Sequence, residues 1–104
     1  MKRIAFTMKL RPGFEAEYRR RHDAIWPELS RLLHDTGIRE YSIFLDPQTL
    51  VLFACLRIAD AEALDALPAQ PVMQRWWAHM QDIMETNPDH SPVTLPLNEV
   101  FYLP

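Results

Sequence analysis

The stretch Arg3-Ile4-Ala5-Phe6-Thr7-Met8-Lys9-Leu10-Arg11-Pro12-Gly13-Phe14-Glu15-Ala16-Glu17-Tyr18-Arg19-Arg20-Arg21-His22 holds two periodicities with a sharp boundary between them. Up to Leu10 the pattern has period two. Ile4, Phe6, Met8 and Leu10 face one way, and Arg3, Thr7 and Lys9 face the other, as in a half-buried strand. Pro12-Gly13 ends it. From Phe14 onward, Phe14, Tyr18, His22, Ile25, Leu29, Leu32 and Leu33 recur at steps of three and four, the stripe of an amphipathic helix. Pro27 interrupts that stripe, so a kink or restart is expected near Asp23–Trp26. Gly37 is placed to close the helix as a left-handed cap.

Beyond Gly37, two strand-like runs, Ile38–Leu45 and Leu50–Ile58, flank Asp46-Pro47-Gln48-Thr49 and predict a β-hairpin. The second run is apolar on both faces, which implies a central position or a covering partner. Asp60 can cap a short helix through Leu67. Past Pro68 and Pro71 a further helix is expected from about Val72 to Met84. Residues 86–96 form a loop rich in Pro and Asn, and Asn98–Leu103 alternates like a last strand. The order β-α-β-β-α-β predicts an α+β, ferredoxin-like domain over residues 1–104, with one antiparallel sheet and its helices on one face. The other face is then wet, or buried against a ligand or a second subunit. A symmetric dimer packed sheet on sheet is the economical solution.

Composition narrows the function. The 104 residues, 48% apolar and 24% charged, suit one globular domain. A net charge of -3 with no basic tail argues against nucleic acid. With two glycines there is no phosphate-cradling loop. No apolar stretch reaches membrane-spanning length and no secretory leader is evident, so a cytoplasmic protein is expected. The single Cys55 lies in an apolar run and reads as a small buried hydrophobe.

His22 is the leading chemical candidate. An imidazole titrates near neutrality, and Tyr18 shares its helix face one turn earlier. On the residues alone it is either a structural histidine or the acid/base of an enclosed site. Tyr41 is a second phenol. Trp76-Trp77 point about 100° apart on a helix, so one can pack while the other lines a pocket. Indole faces suit the C–H surfaces of a sugar ring. Arg19-Arg20-Arg21 reads as a solvated charge run. The four histidines show no metal-ligand spacing, and no metal or cofactor is implied.

Several motifs together carry a resemblance. Tyr18-Arg19-Arg20-Arg21-His22, Ile25-Trp26-Pro27-Glu28-Leu29, Tyr41-Ser42-Ile43-Phe44-Leu45-Asp46, Gln74-Arg75-Trp76-Trp77, Asn87-Pro88-Asp89-His90-Ser91-Pro92 and the ending Glu99-Val100-Phe101-Tyr102-Leu103-Pro104 follow in an order that resembles the L-rhamnose mutarotase family. The likeness spans essentially the whole chain. It implies a dimeric α+β barrel, made from two ferredoxin-like subunits joined through their sheets. It also implies cofactor-free exchange between the α and β anomers of L-rhamnose, with His22 as catalytic proton donor and Tyr18, Tyr41, Trp76 and Trp77 contacting the sugar. For the group taking the second proton, a Tyr, a carboxylate such as Asp89, or a water stays open. Similar folds also serve cofactor-free monooxygenases and haem-binding proteins, which is the alternative reading.

Overall fold

A computed structural model describes residues 1–104. The elements are β1 (Lys2–Lys9), α1 (Glu15–Asp23), α2 (Pro27–Thr36), β2 (Arg39–Leu45), β3 (Val51–Ile58), a 3-10 segment (Ala61–Ala69), α3 (Pro71–Met80) and β4 (Leu95–Leu97). They build one four-stranded antiparallel sheet in the order β2-β3-β1-β4. β3 lies inside that order, as its two apolar faces suggest. Leu52, Ala54, Leu56 and Ile58 face the helices and are buried, whereas Phe53 and Cys55 stand exposed on the opposite face. The sheet therefore has one covered and one open face, and the α+β, ferredoxin-like expectation holds.

The predicted long helix is two helices. A residue preceding proline is biased toward extended backbone. Trp26 obeys, with ψ 131, and Pro27 then opens α2 at a position where its missing N–H is no loss. Gly37 closes α2 with φ 106, receiving no strain because it lacks a Cβ. Asp60 caps the 3-10 segment by accepting from the Glu62 amide.

Three expectations need correction. α3 stops at Met80 and not at Met84. Ile83 and Met84 are buried as predicted, but their backbone turns to pair with the end of β1: the Arg11 amide donates to the Ile83 carbonyl at 2.9 Å, and the Glu85 amide to the Lys9 carbonyl at 3.0 Å. The last strand is Leu95–Leu97, within the expected loop, and not Asn98–Leu103. Pro96 sits there without penalty because β4 is an edge strand. The alternating tail finds no neighbouring strand within the chain. It is held by side chains: Arg3 grips Glu99 through two hydrogen bonds, of 2.9 and 2.8 Å, and lies over the Tyr102 ring. Cys55 is exposed and not buried, because its strand position points to the open face.

Candidate active site

Between the helix-facing side of the sheet and the helices lies an open cleft of about 1590 Å³. Tyr18, His22, Tyr41, Trp76 and Trp77 all line it, brought there by α1, β2 and α3. The four-residue spacing of Tyr18 and His22 stacks their rings, with centroids 4.3 Å apart. Trp76 meets His22 edge to face at 5.5 Å. The ambiguity of the tryptophan pair resolves by burial: Trp76 is 7% exposed and belongs to the core that backs the histidine, while Trp77 is half-buried.

The His22 ring is oriented by the backbone. Its Nδ1 lies 3.1 Å from the Tyr18 carbonyl oxygen. A carbonyl only accepts, so Nδ1 carries the proton and donates. In the neutral ring the lone pair is then on Nε2, the nitrogen free for chemistry. Burial lowers the His22 pKa from its ordinary value, and the Tyr18 carbonyl and Asp23 offset only part of that. At neutral pH the ring rests uncharged.

The phenols are shifted the other way. Burial raises the Tyr18 pKa, and nearby Tyr41 adds to it, because two phenolates close together repel. Tyr41 is 39% exposed overall, yet protein crowds its hydroxyl and pushes the phenol up to about 12. Both phenols stay protonated across the physiological range, so they donate hydrogen bonds and do not serve as resting bases. Asp89, on the loop that closes one side of the cleft, is held below the usual carboxylate range by Ser91, which donates from its hydroxyl and its amide.

Some participants were not singled out by sequence reading. Arg21 is no solvated charge: its side chain is 11% exposed. It donates from Nε to Glu17 at 2.7 Å, and from Nη1 to the His79 carbonyl at 2.7 Å and to Asp82 at 2.8 Å. The helix bearing His22 is thereby tied to the end of the helix bearing Trp76. Glu17, four residues before Arg21, was the one local signal of that contact. Trp26 and His79 extend the aromatic cluster, each about one ring from Trp76, with centroids 5.1 and 5.5 Å away. No local pattern reveals that cluster, since it forms across α1, the residue preceding α2, and α3.

A profile of the L-rhamnose mutarotase family matches residues 3–103. The chain belongs to that family. An L-rhamnose mutarotase of Brucella anthropi is 58% identical over 102 residues, covering 98% of this chain and 96% of its own. One from Jannaschia sp. is 59% identical with both chains covered in full. Among solved structures, L-rhamnose mutarotase from Formosa agariphila superposes with a TM-score of 0.93 at 46% identity, over 100% of both chains. A structure described as an antibiotic biosynthesis monooxygenase aligns at a TM-score of 0.52 and 15% identity, covering 96% of this chain and 99% of that one, which is a likeness of fold alone.

Proposed function

We propose that this chain is an L-rhamnose mutarotase, an aldose 1-epimerase that interconverts the α and β pyranose anomers by opening and reclosing the ring. The observation carrying the reading is a neutral imidazole, fixed through Nδ1 and free at Nε2, in a cleft lined by two protonated phenols and two indoles. The chemistry needs only proton transfers. The anomeric hydroxyl must lose a proton, the ring oxygen must gain one, and the C1–O5 bond breaks to leave an aldehyde and a C5 hydroxyl. Rotation about C1–C2 and the reverse transfers give the other anomer.

His22 is the proton donor to the ring oxygen. Its resting state is neutral, so it first takes the anomeric proton on Nε2. Both oxygens are bonded to C1, so one nitrogen can serve them in turn. Burial makes the transient imidazolium a stronger acid than one in water, which favours delivery to the ring oxygen. General acid–base catalysis of this kind contributes about 10²–10⁴-fold. Tyr18 and Tyr41 donate hydrogen bonds to sugar hydroxyls, and Trp77 with the accessible edge of Trp76 packs the apolar side, including the methyl group of a 6-deoxy sugar. No cofactor takes part.

The reading includes a homodimer. Phe44 and Phe53, cross-strand neighbours on the open sheet face, are 68% and 42% exposed in the isolated chain. A second copy packed sheet on sheet would cover them. A single-domain cytoplasmic enzyme, with no nucleic-acid or membrane partner, completes it; the charge of -3 supports that part. The monooxygenase and haem-binding alternatives rest on the fold alone. Saturation-transfer NMR of the anomeric protons of L-rhamnose tests the proposal. Wild-type protein should accelerate exchange and His22→Ala should lose at least a hundredfold. No acceleration by the wild type would remove the function, and an undiminished His22→Ala rate would remove the role of His22.

A further inference from the structure

Between Arg39 and Ser42, β2 holds one residue more than the strand beside it. Arg39 pairs with Arg57 and Ser42 with Cys55, so three steps along β2 match two along β3. The surplus decides where side chains point. Ile38, just before β2, is buried. Unbroken alternation from it would send Ser42 and Phe44 toward the helices, and Tyr41, Ile43 and Leu45 to the open face. The structure has the reverse. Phe44 stands exposed opposite Phe53, Ile43 and Leu45 pack on the core, and Tyr41 lines the cleft.

The change of phase is absorbed at Glu40. Its φ is 51, in the left-handed region, where a residue with a Cβ is disfavoured. The Glu40 carboxylate accepts from Arg57 Nη1 at 2.8 Å. Arg57 stands in cross-strand register between Arg3 on β1 and Arg39 on β2; Arg39 donates from Nη1 to the His34 and Ile38 carbonyls, which leaves Arg3 and Arg57 as neighbouring cations without backbone partners. Like charges opposite one another repel. Glu99 answers Arg3, and Glu40 answers Arg57. The pair with Glu40, 40% and 67% exposed, adds a modest, solvent-screened bias toward that conformation.

We infer that Glu40 is a positioning residue: its left-handed bulge, paired with Arg57, turns Tyr41 into the sugar cleft. The inference rests on Tyr41 contacting the sugar, as proposed above. Valine at position 40 resists the left-handed region, and glycine accepts it freely. The experiment compares E40V, E40G, Y41F and the double variant E40V/Y41F. It reads anomer-exchange rates on L-rhamnose and the Tyr41 titration by NMR of tyrosine labelled with carbon-13 at Cζ.

Y41F should slow exchange by a factor on the order of ten, the loss of one hydrogen bond. E40V should slow it by a similar factor, E40G should recover most of that, and the double variant should be no slower than Y41F. The Tyr41 midpoint should fall from about 12 toward 10 in E40V, as the phenol swings into water, and stay high in E40G. A folded E40V with wild-type exchange and an unmoved Tyr41 titration overturns the inference, as does E40V slowing the Y41F background by its full factor. If E40V fails to fold, E40A with the same two readouts replaces it. Wild-type exchange by Y41F refutes the site reading instead, and the NMR midpoints still decide whether Glu40 orients Tyr41.

Discussion

Removing the Arg21 guanidinium should disarm the site well before it unfolds the protein. α1 has nine residues, and only Tyr18 of them is buried, so hydrophobic packing alone holds it weakly. Arg21 makes up the difference by reaching the end of α3. Its link to the His79 carbonyl, a charged donor on a backbone acceptor, contributes about 1 kcal/mol after exchange with water. The two-pronged contact with Asp82 has good geometry, at 2.8 and 3.1 Å, but Asp82 is 54% exposed, so solvent screening limits it to about 1 kcal/mol. Arg21→Ala should therefore cost about 2 kcal/mol, and about 10 °C in Tm for a chain of 104 residues. The folded population at 25 °C would remain dominant for a domain of ordinary stability. Catalysis should suffer more, because a misplacement of about 1 Å can cost a hundredfold. We expect kcat for anomer exchange to fall between tenfold and a hundredfold with a smaller change in KM. Arg21→Lys should recover little, since an ammonium cannot meet a carbonyl and both carboxylate oxygens at once. Urea unfolding followed by tryptophan fluorescence gives the stability, and saturation-transfer NMR gives the rate. A variant within about 0.5 kcal/mol of wild type that exchanges anomers at the wild-type rate would refute the clamp.

The remaining predictions concern pH and assembly. The native His22 pKa lies below its unfolded value, so the unfolded chain binds protons first as pH falls. Its contribution to stability is thus complete above about 6.5 and declines below it. Exchange should likewise be flat above that point and fall toward acid as Nε2 becomes protonated; a rate that instead rises as pH drops from 8 to 6 would show that the imidazolium is the starting form. The raised phenols act at the other end, where stability falls as pH climbs from about 10 toward 12, the unfolded tyrosines ionising first. As for assembly, Cys55 sits on the open sheet face beside Ala5 and Ser42. A sheet-on-sheet dimer should hide it, so Ellman's reagent should react slowly with native protein and quickly in urea. Rapid native labelling, together with a monomer mass by light scattering, would dismiss the dimer.

The candidate site was legible because most of the residues that line the cleft together sit in short-range patterns. Tyr18 and His22 are one turn apart, Trp76 and Trp77 are adjacent, and a helix fixes what such spacings mean. Tyr41 is a different case. Counting by twos from Ile38 sends it to the wrong face, and only the pairing of β2 with β3 reveals the extra residue at Glu40. Arg21 looked like one of three solvated cations until α3 came alongside with the His79 carbonyl and Asp82.

The sequence by itself determined the element order, the breaks at Pro27 and Gly37, the cap at Asp60 and the kinship of the chain. Each depends on backbone preferences or on motifs read over a few residues. Tertiary structure alone decided the charge state of His22, the division of labour between Trp76 and Trp77, the exposure of Cys55 and the end of α3 at Met80. Those depend on desolvation and on hydrogen-bond partners distant in the chain. A residue's burial and its charge state are properties of what surrounds it, and for His22 the surroundings come from α1 and α3, helices that meet only once the sheet has gathered them.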